Sequence, residues 1–454
     1  MAGGTFTLSG KKERPGTYIN TKSGRVSVLG ADLEGAVLLP LIGADYGPAG
    51  KFIRIDAAAP DAHFAELGHS VYDDNDMMLL IREALKGCRE VVVFIPTEGA
   101  KAAKTLGNLQ ATAKCGGTLG NSFKVAITAN AALGTGYFNV SVFSGDNLVE
   151  THSAVQKVGD LAGVSEYIDF TPAEDATAES ALAAAAATAL TGGTNGTVAN
   201  ADFTAMLDAS ESEDWNVLAF PYSTTTYAAL ATAIVSKIKY FREEAGKDVY
   251  AVLSGVGADY EGVFNVDNGY VLSDDTEIDA AKACCFIAGI SAGADYLTSN
   301  TYHRVDGAAK VKDPKTHDEA VAAIRAGKIF FSYDDAWNVI VEYDINSLTT
   351  FTSTKDESYR KGRVNRVFDA YRALLRANFP PNRFDNNETG WKIMEGLGKS
   401  IHKTLQEEGA IQNVDLDNDF KVDRSRSIGD QTYFKVALQP VDSAEKLYFS
   451  ITTY

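Results

Sequence analysis

Apolar and polar positions follow different periodicities in successive regions of the chain. Between residues 91 and 172, short alternating runs such as 123–127 and 137–143 are separated by Gly, Asn and Asp, a spacing typical of a small β-sandwich. From residue 173 onwards, apolar runs alternate with helical patterns, as in 215–221 followed by 227–245. This alternation predicts right-handed βαβ units with a mainly parallel sheet, and therefore an α/β multidomain fold.

Two amphipathic helices are predicted in the last hundred residues, where the fold changes to α+β. The first covers 360–376 and the second 391–408, with Thr389 as the predicted N-cap of the second and Gly409 after its end. Apolar residues recur at helical spacing on one face of the first helix: Val364, Val367, Phe368, Tyr371, Leu374 and Leu375.

The first of these helices also carries a cluster of cations around its other faces. Its first turns contain Arg360, Lys361, Arg363 and Arg366. A basic face of this kind is either simply solvated or docks an acidic partner, and the second interpretation gains weight in a chain that is acidic overall.

Each end of the chain contains one short extended segment without a partner strand nearby in the sequence. The first, 13–20, contains a Pro15-Gly16 break, and the second, 446–454, alternates in polarity. The second segment places alternate apolar residues on one face: Leu447, Phe449 and Ile451. Because a lone strand is marginal in water, each segment either joins a sheet of its own chain or adds to a sheet of another copy. The second possibility produces a polymer.

These changes of pattern predict six segments along the chain. They are an N-terminal arm (1–24), a segment packing with the α/β body (25–90), a β-sandwich domain (91–172), an α/β domain (173–350), a C-terminal domain (351–442) and a C-terminal arm strand (443–454). A length of 454 residues agrees with about three domains besides the arms.

Composition excludes several classes of protein. The chain is 45% apolar, which is ordinary for a globular protein, and its net charge of −18, from 42 basic and 60 acidic residues, argues against a general nucleic-acid binder. No run approaches the roughly 18 apolar residues of a membrane span, so we expect no membrane insertion and a protein that is kept in the cytoplasm. Four cysteines without CxxC spacing are expected to be buried thiols.

The sharpest enzymatic signal is Gly289-Ile290-Ser291-Ala292-Gly293, which matches the G-x-S-x-G motif of α/β serine hydrolases. A triad would need an acid and a histidine within reach of Ser291, such as Asp295 or Asp306 with His303, His317 or His402. The surrounding residues 279–297 are rich in alanine and predict one continuous helix, in which the glycines serve close packing. We therefore expect no catalytic residues.

Two further motifs are incomplete. Asp415-x-Asp417-x-Asp419 resembles the start of a calcium loop, but Phe420 stands where the sharp turn demands Gly, and Arg426 where a bidentate Glu is needed. Gly255-x-Gly257 follows an apolar run, yet Tyr260 replaces the third glycine of a dinucleotide fingerprint. The sequence therefore predicts neither a metal nor a cofactor.

Several short motifs occur in a definite order and spacing along the chain. In the first part of the chain they are 14–19, Pro40-Leu41-Ile42-Gly43, Tyr46-Gly47-Pro48 and Ala288-Gly289-Ile290. In the last part they are 378–382, Thr389 with Ile393, Leu397, Leu405, Gly409-Ala410-Ile411, Leu438-Gln439-Pro440-Val441 and Glu445-Lys446-Leu447-Tyr448. Over nearly its whole length the chain resembles the sheaths of phage tails and of phage-tail-like bacteriocins.

The resemblance implies a fold and a mode of assembly. The implied fold contains a β-sandwich, a subtilisin-like α/β domain without protease activity, and a C-terminal domain that faces an inner tube. The implied assembly is a helical polymer, with hexameric rings, whose N- and C-terminal arms insert into the C-terminal domains of neighbouring copies and which contracts to drive the tube through a cell envelope. The implied partners are the inner tube protein, the baseplate and the tail terminator.

Particular residues take roles in this interpretation. The expected arm residues are Arg14, Pro15, Gly16, Thr17, Tyr18, Ile19, Leu447, Tyr448, Phe449 and Ile451. The expected acceptor strand contains Tyr433, Phe434, Val436 and Leu438. The residues expected to face the tube are Arg360, Lys361, Arg363 and Arg366. Two other classes stay open, namely a serine hydrolase that uses Ser291 and a non-contractile shell or surface-layer protein.

Overall fold

The computed structural model describes residues 3–4, 17–18 and 33–453, which fold into two units. We call the first unit residues 38–85 and 89–214, and the second unit residues 33–37, 86–88 and 215–453. Each unit is described by itself below.

The first unit contains the predicted β-sandwich. One antiparallel sheet has the strand order Asn147–Val155, Phe138–Ser144, Phe123–Ala129 and Ala185–Ala189, and the other has the order Ile168–Pro172, Leu109–Ala113 and Ala103–Leu106. Alternate side chains of the strands meet in a common core, where the ring of Phe123 packs edge-on against those of Tyr46 and Tyr167. The prediction of a β-sandwich is thereby confirmed.

The limits of this sandwich differ from the predicted ones at both ends. The strand Glu90–Phe94, expected to open the sandwich, instead pairs antiparallel with Phe52–Asp56. The strand Ala185–Ala189 lies beyond residue 172, yet pairs with Phe123–Ala129. It joins the sandwich because Leu182 and Leu190 at its ends are buried in the core, a tertiary contact that an alanine-rich run does not reveal.

The remaining elements of the first unit are mostly helical. They are the helices Phe64–Leu67, Asp76–Leu85 and Asn200–Ala209. The strand Ala36–Pro40, whose last three residues belong to this unit, is buried along its whole length.

In the second unit, parallel strands form the centre of the α/β region. Val217–Ala219, Tyr250–Ser254 and Val263–Val266 lie side by side in parallel, with the helices Ala228–Tyr240 and Ala283–Gly293 packed against them. The strands are almost completely buried, as expected for a sheet covered by helices.

Part of this region is antiparallel, which corrects the prediction for residues 339–343. The strand Val339–Val341 pairs antiparallel with Phe331–Tyr333, because the few residues between them close a tight turn instead of a crossover. Asp334 holds that turn by accepting hydrogen bonds from the backbone of Ala336 and Asn338. A second antiparallel sheet contains Gly269–Leu272, Glu277–Ile278 and Ala308–Lys312, and the helix His317–Arg325 follows it.

The last hundred residues contain two long helices and four short strands. The helices are Gly362–Asn378 and Glu388–Glu407, the second capped by the side chain of Asn387 and not by Thr389. Their apolar faces form a core with Tyr371, Ile401 and Leu405. The strand pairs are Ile411–Gln412 with Gln439–Pro440 and Phe420–Val422 with Phe434–Val436.

Candidate functional site

The C-terminal arm leaves large apolar side chains in solvent. No strand or helix includes any of the described residues 441–453. Leu447 is 66% exposed, Phe449 82% and Ile451 89%, although these side chains rank among the most apolar of the chain. A contiguous apolar segment with this exposure is a mark of an interaction site.

The strand Phe434–Val436 offers an open edge in the same unit. Asp423 N–H donates to the carbonyl of Tyr433, and Ala437 N–H donates to the carbonyl of Asp419. Successive residues of an antiparallel strand point their backbone N–H and C=O groups alternately toward and away from the partner strand. Phe434 and Val436 therefore point their N–H and C=O groups away from the partner strand Phe420–Val422.

No hydrogen bond in the described part of the chain uses these outward groups of Phe434 and Val436. Val436 is 38% exposed, whereas Leu438 is partly buried and packs against the C-terminal core. The predicted acceptor strand therefore presents an unpaired edge, which is the feature that strand addition requires.

The N-terminal arm lies largely outside the described residues. Arg14, Pro15, Gly16 and Ile19 are among the residues not described, and only the backbone of Thr17–Tyr18 is, which pairs in parallel with Gly3–Gly4.

The four cations predicted to face a tube are placed differently from a solvated basic surface. Arg360 and Lys361 are 7% and 8% exposed, and Arg366 is 8% exposed. Arg366 Nη2 donates to Asp344 Oδ2 at 2.7 Å, and Arg363 Nη1 donates to Ser443 Oγ at 2.9 Å. Three of the four side chains are buried and that of Arg363 is partly buried, which corrects the expectation that they form an outward basic face. Contact of this region with a tube stays a prediction.

The rest of this helix is neutralised by carboxylates of the second unit. Asp369 pairs with Arg242 at 2.9 Å and accepts a short hydrogen bond from Tyr250, while Asp248 accepts from Arg372 at 2.7 Å and Arg376 at 2.5 Å. Burial, followed by the charge of Asp369, raises the pKa of Tyr250 above its usual range, so that this phenol stays protonated. The side chain of Arg242, 5% exposed, is thus held in the interior by Asp369, whereas Arg372 and Arg376, 44% and 51% exposed, form surface ion pairs with acids of the same unit.

Ser291 does not have the geometry of a nucleophile. It lies within the helix Ala283–Gly293, is 8% exposed, and makes no hydrogen bond to a histidine or a carboxylate among the described residues. The glycines of the motif serve close packing, since a Cβ added to Gly293 would lie 2.0 Å from the carbonyl oxygen of Gly87. A strand-to-helix elbow, which the hydrolase motif requires, is absent from this described segment.

The other candidate motifs serve local structure. Asp415 accepts from the backbone of Asp417, and Asp419 accepts from the backbone of Asp415, so these acids close a turn. Within residues 33–453, no cluster of His, Cys, Asp or Glu has the form of a metal site, and no helix combines the length and apolarity needed to cross a bilayer. Gly255 and Gly257 line an open cleft of about 450 Å³, whose other residues are small or bear hydroxyl groups.

Three family models match successive parts of the chain. The phage tail sheath protein β-sandwich domain matches residues 97–195, the phage tail sheath protein central domain 196–347, and the phage tail sheath C-terminal domain 354–453. This chain belongs to the phage tail sheath protein family. The exposed arm, the open edge and the sandwich described above are thus features of a sheath subunit.

Individual relatives agree over almost the full length. The crystal structure of the sheath tail protein from Desulfitobacterium hafniense is 33% identical, with a TM-score of 0.81 over 96% of this chain and 99% of that one. The phage-like element PBSX protein XkdK of Bacillus subtilis is 32% identical over 99% of both chains. The contracted helical sheath of the anti-feeding prophage shares the fold at 13% identity, with a TM-score of 0.54 over 98% of this chain and 100% of that one.

Proposed function

We propose that this sheath subunit polymerises around an inner tube by strand exchange and contracts to drive the tube through a target cell envelope. The observation that carries the proposal is that the same unit has both an exposed apolar arm and an unpaired strand edge. An arm of this kind gains little by remaining in water, and the edge Phe434–Val436 offers backbone groups that a second copy can pair.

Strand pairing can hold such a polymer together. Five to eight paired residues, at roughly 0.5–1.5 kcal/mol net for each hydrogen bond, contribute several kcal/mol per arm. Burial of the apolar face of the arm adds to this. Because every subunit both donates and accepts, the pairing is heterologous and propagates through the lattice.

The same proposal includes the remaining partners. Subunits form hexameric rings in the bacterial cytoplasm, between a baseplate and a tail terminator, as part of a phage tail or a phage-tail-like particle. Contraction needs no nucleotide, because an extended lattice held in a higher-energy state by tube and baseplate contacts shortens when it is released. The fold shared with the contracted helical sheath of the anti-feeding prophage supports the proposal of a helical sheath.

Deletion of residues 447–454 tests the proposal. We expect the shortened chain to keep its unfolding midpoint, since the deleted side chains that are described contribute little burial, and to lose sedimentable polymers with the tubular form seen by negative-stain microscopy. Deletion of residues 1–20 is expected to have the same effect. Tubes formed by both shortened chains would refute strand exchange, and flat sheets or closed shells from the full chain would favour a non-contractile assembly.

A further inference from the structure

The root of the C-terminal arm is held by a buried carboxylate. Glu445 Oε1 accepts hydrogen bonds from Ser299 Oγ at 3.0 Å and from Thr301 Oγ1 at 2.6 Å, and its Oε2 pairs with the ammonium of Lys361. The side chain of Glu445 is 9% exposed and that of Lys361 10%. Both carboxylate oxygens are therefore engaged by the body of the second unit.

Neighbouring residues of the arm reinforce this attachment. Asp442 lies 3.4 Å from Lys361 Nζ, and Ser443 accepts from Arg363. Lys446 places its ammonium 5.8 Å from the centre of the Tyr343 ring. These contacts lie within residues 442–446, a stretch that contains Asp442-Ser443-Ala444, whose small and polar side chains are typical of a flexible linker.

The socket that receives Glu445 is itself fixed in the interior. Thr301 Oγ1 also accepts from the backbone N–H of Asp344 at 3.0 Å, and Asp344 pairs with buried Arg366. The side-chain amide of Asn300, next to Thr301, donates to the carbonyl of Ile290 in the helix Ala283–Gly293. Movement of Glu445 would therefore take the nearest carboxylate away from a buried ammonium and remove an acceptor shared by two partly buried hydroxyl groups, which opposes release.

Burial ends at this anchor. Residues 441, 443 and 445 are partly buried, whereas residues 446–453 are all exposed, with Leu447 at 66% and Tyr448 at 89%. We propose that Glu445 is a positioning residue that fixes the root of the arm, so that the arm pivots at residues 446–447 and not at 442–444.

The consequence for assembly depends on the proposed strand exchange. An arm with a fixed root samples fewer conformations, which raises its effective concentration at the neighbouring edge and lowers the cost of ordering it. A pivot close to the paired segment also lets the body rotate during contraction while the strand stays in place.

Spin labels test the anchor in the dilute, unassembled chain. The four native cysteines are buried, so cysteines introduced as Ala444→Cys and as Tyr448→Cys can be labelled selectively. We expect a label at 444 to be immobilised and a label at 448 to be mobile. In combination with Glu445→Gln, the label at 444 should become as mobile as that at 448. The control is Asp442→Asn, which alters a side chain that is 43% exposed and should change the mobility of the label at 444 little. Equal mobility at the two positions in the parent chain would overturn the proposal.

Further variants separate anchoring from a loss of stability. Glu445→Asp keeps the charge and should restore part of the immobilisation. If Glu445→Gln lowers the unfolding midpoint, a second variant replaces it. Thr301→Val removes one hydroxyl and leaves the ion pair between Glu445 and Lys361, and it should still increase the mobility of the label at 444. An immobile label in both variants would refute the anchor.

Assembly is measured separately on the same variants. With the arm released, the concentration required for polymerisation should rise about tenfold, in line with the lower effective concentration. An unchanged value together with a mobile label would overturn the consequence for assembly. The mobility result does not depend on strand exchange, so failure of the proposed function, measured by the deletion of 447–454, is distinguishable from failure of the anchor.

Discussion

Substitution of Phe449 by aspartate provides a sensitive test of arm insertion. Phe449 is 82% exposed in the free chain, so Phe449→Asp should leave the unfolding free energy of the subunit nearly unchanged. Burial of a phenylalanine side chain contributes about 1.5–3 kcal/mol. An aspartate in the same site loses this burial free energy and must also be desolvated. We therefore expect the arm to bind at least about 3 kcal/mol more weakly, which lowers the association constant roughly a hundredfold.

The control is the same charge on the opposite face of the arm. Ser450→Asp introduces an aspartate one residue away, and because side chains alternate along a strand it should point away from the apolar face. Sedimentation velocity across a concentration series, with negative-stain microscopy of the pellets, gives the concentration at which polymers form. We expect a shift of roughly a hundredfold for Phe449→Asp and at most a few-fold for Ser450→Asp. Equal shifts for the two variants would show that the arm does not bind as a strand with one buried face.

Three further predictions follow from individual contacts. Val436→Pro removes an outward N–H and should block assembly with little change in the unfolding midpoint. Lys435→Pro instead breaks the hydrogen-bond ladder within the chain and should lower the unfolding midpoint. Normal assembly of the Val436→Pro variant would show that this strand edge does not accept the arm. Asp344→Ala leaves Arg366 buried without its acid and should lower the unfolding free energy, measured by chemical denaturation, by about 3–5 kcal/mol. The double variant Asp344→Leu with Arg366→Met should recover most of this loss. A loss below about 1 kcal/mol for Asp344→Ala would contradict a buried ion pair. Burial lowers the pKa of His402, although the charge of Asp419 acts in the opposite direction. Protonation of His402 therefore favours the unfolded chain, and the unfolding free energy should fall as pH drops below about 6.5. His402→Gln should show a smaller fall between pH 7 and 5, and an equal fall would show that His402 does not cause the pH dependence.

Much of the architecture could be predicted from local patterns. Alternating and helical periodicities identified the sandwich, the parallel strands and both C-terminal helices, because side-chain period depends only on the geometry of each element. The apolar alternation at Leu447, Phe449 and Ile451 predicts a strand without a local partner; these residues belong to no strand in the structure, so their pairing with another copy stays a prediction. Boundaries were less accurate where a contact distant in sequence decides them, as for Ala185–Ala189, whose neighbours Leu182 and Leu190 fill a core built from other segments.

The fate of the charged residues was decided by tertiary structure alone. Arg366 and Lys361 look like a basic surface in the sequence, yet their partners Asp344 and Glu445 lie 22 and 84 residues away and meet them only after folding. A buried cation requires a nearby acid, and its identity depends on which segments the fold brings together. The sequence by itself therefore determined the layers and the isolated arm, which follow from the order and period of apolar residues, and it indicated the family through the resemblance of its short motifs. Only the folded chain decided which charges are internal and where the arm is attached.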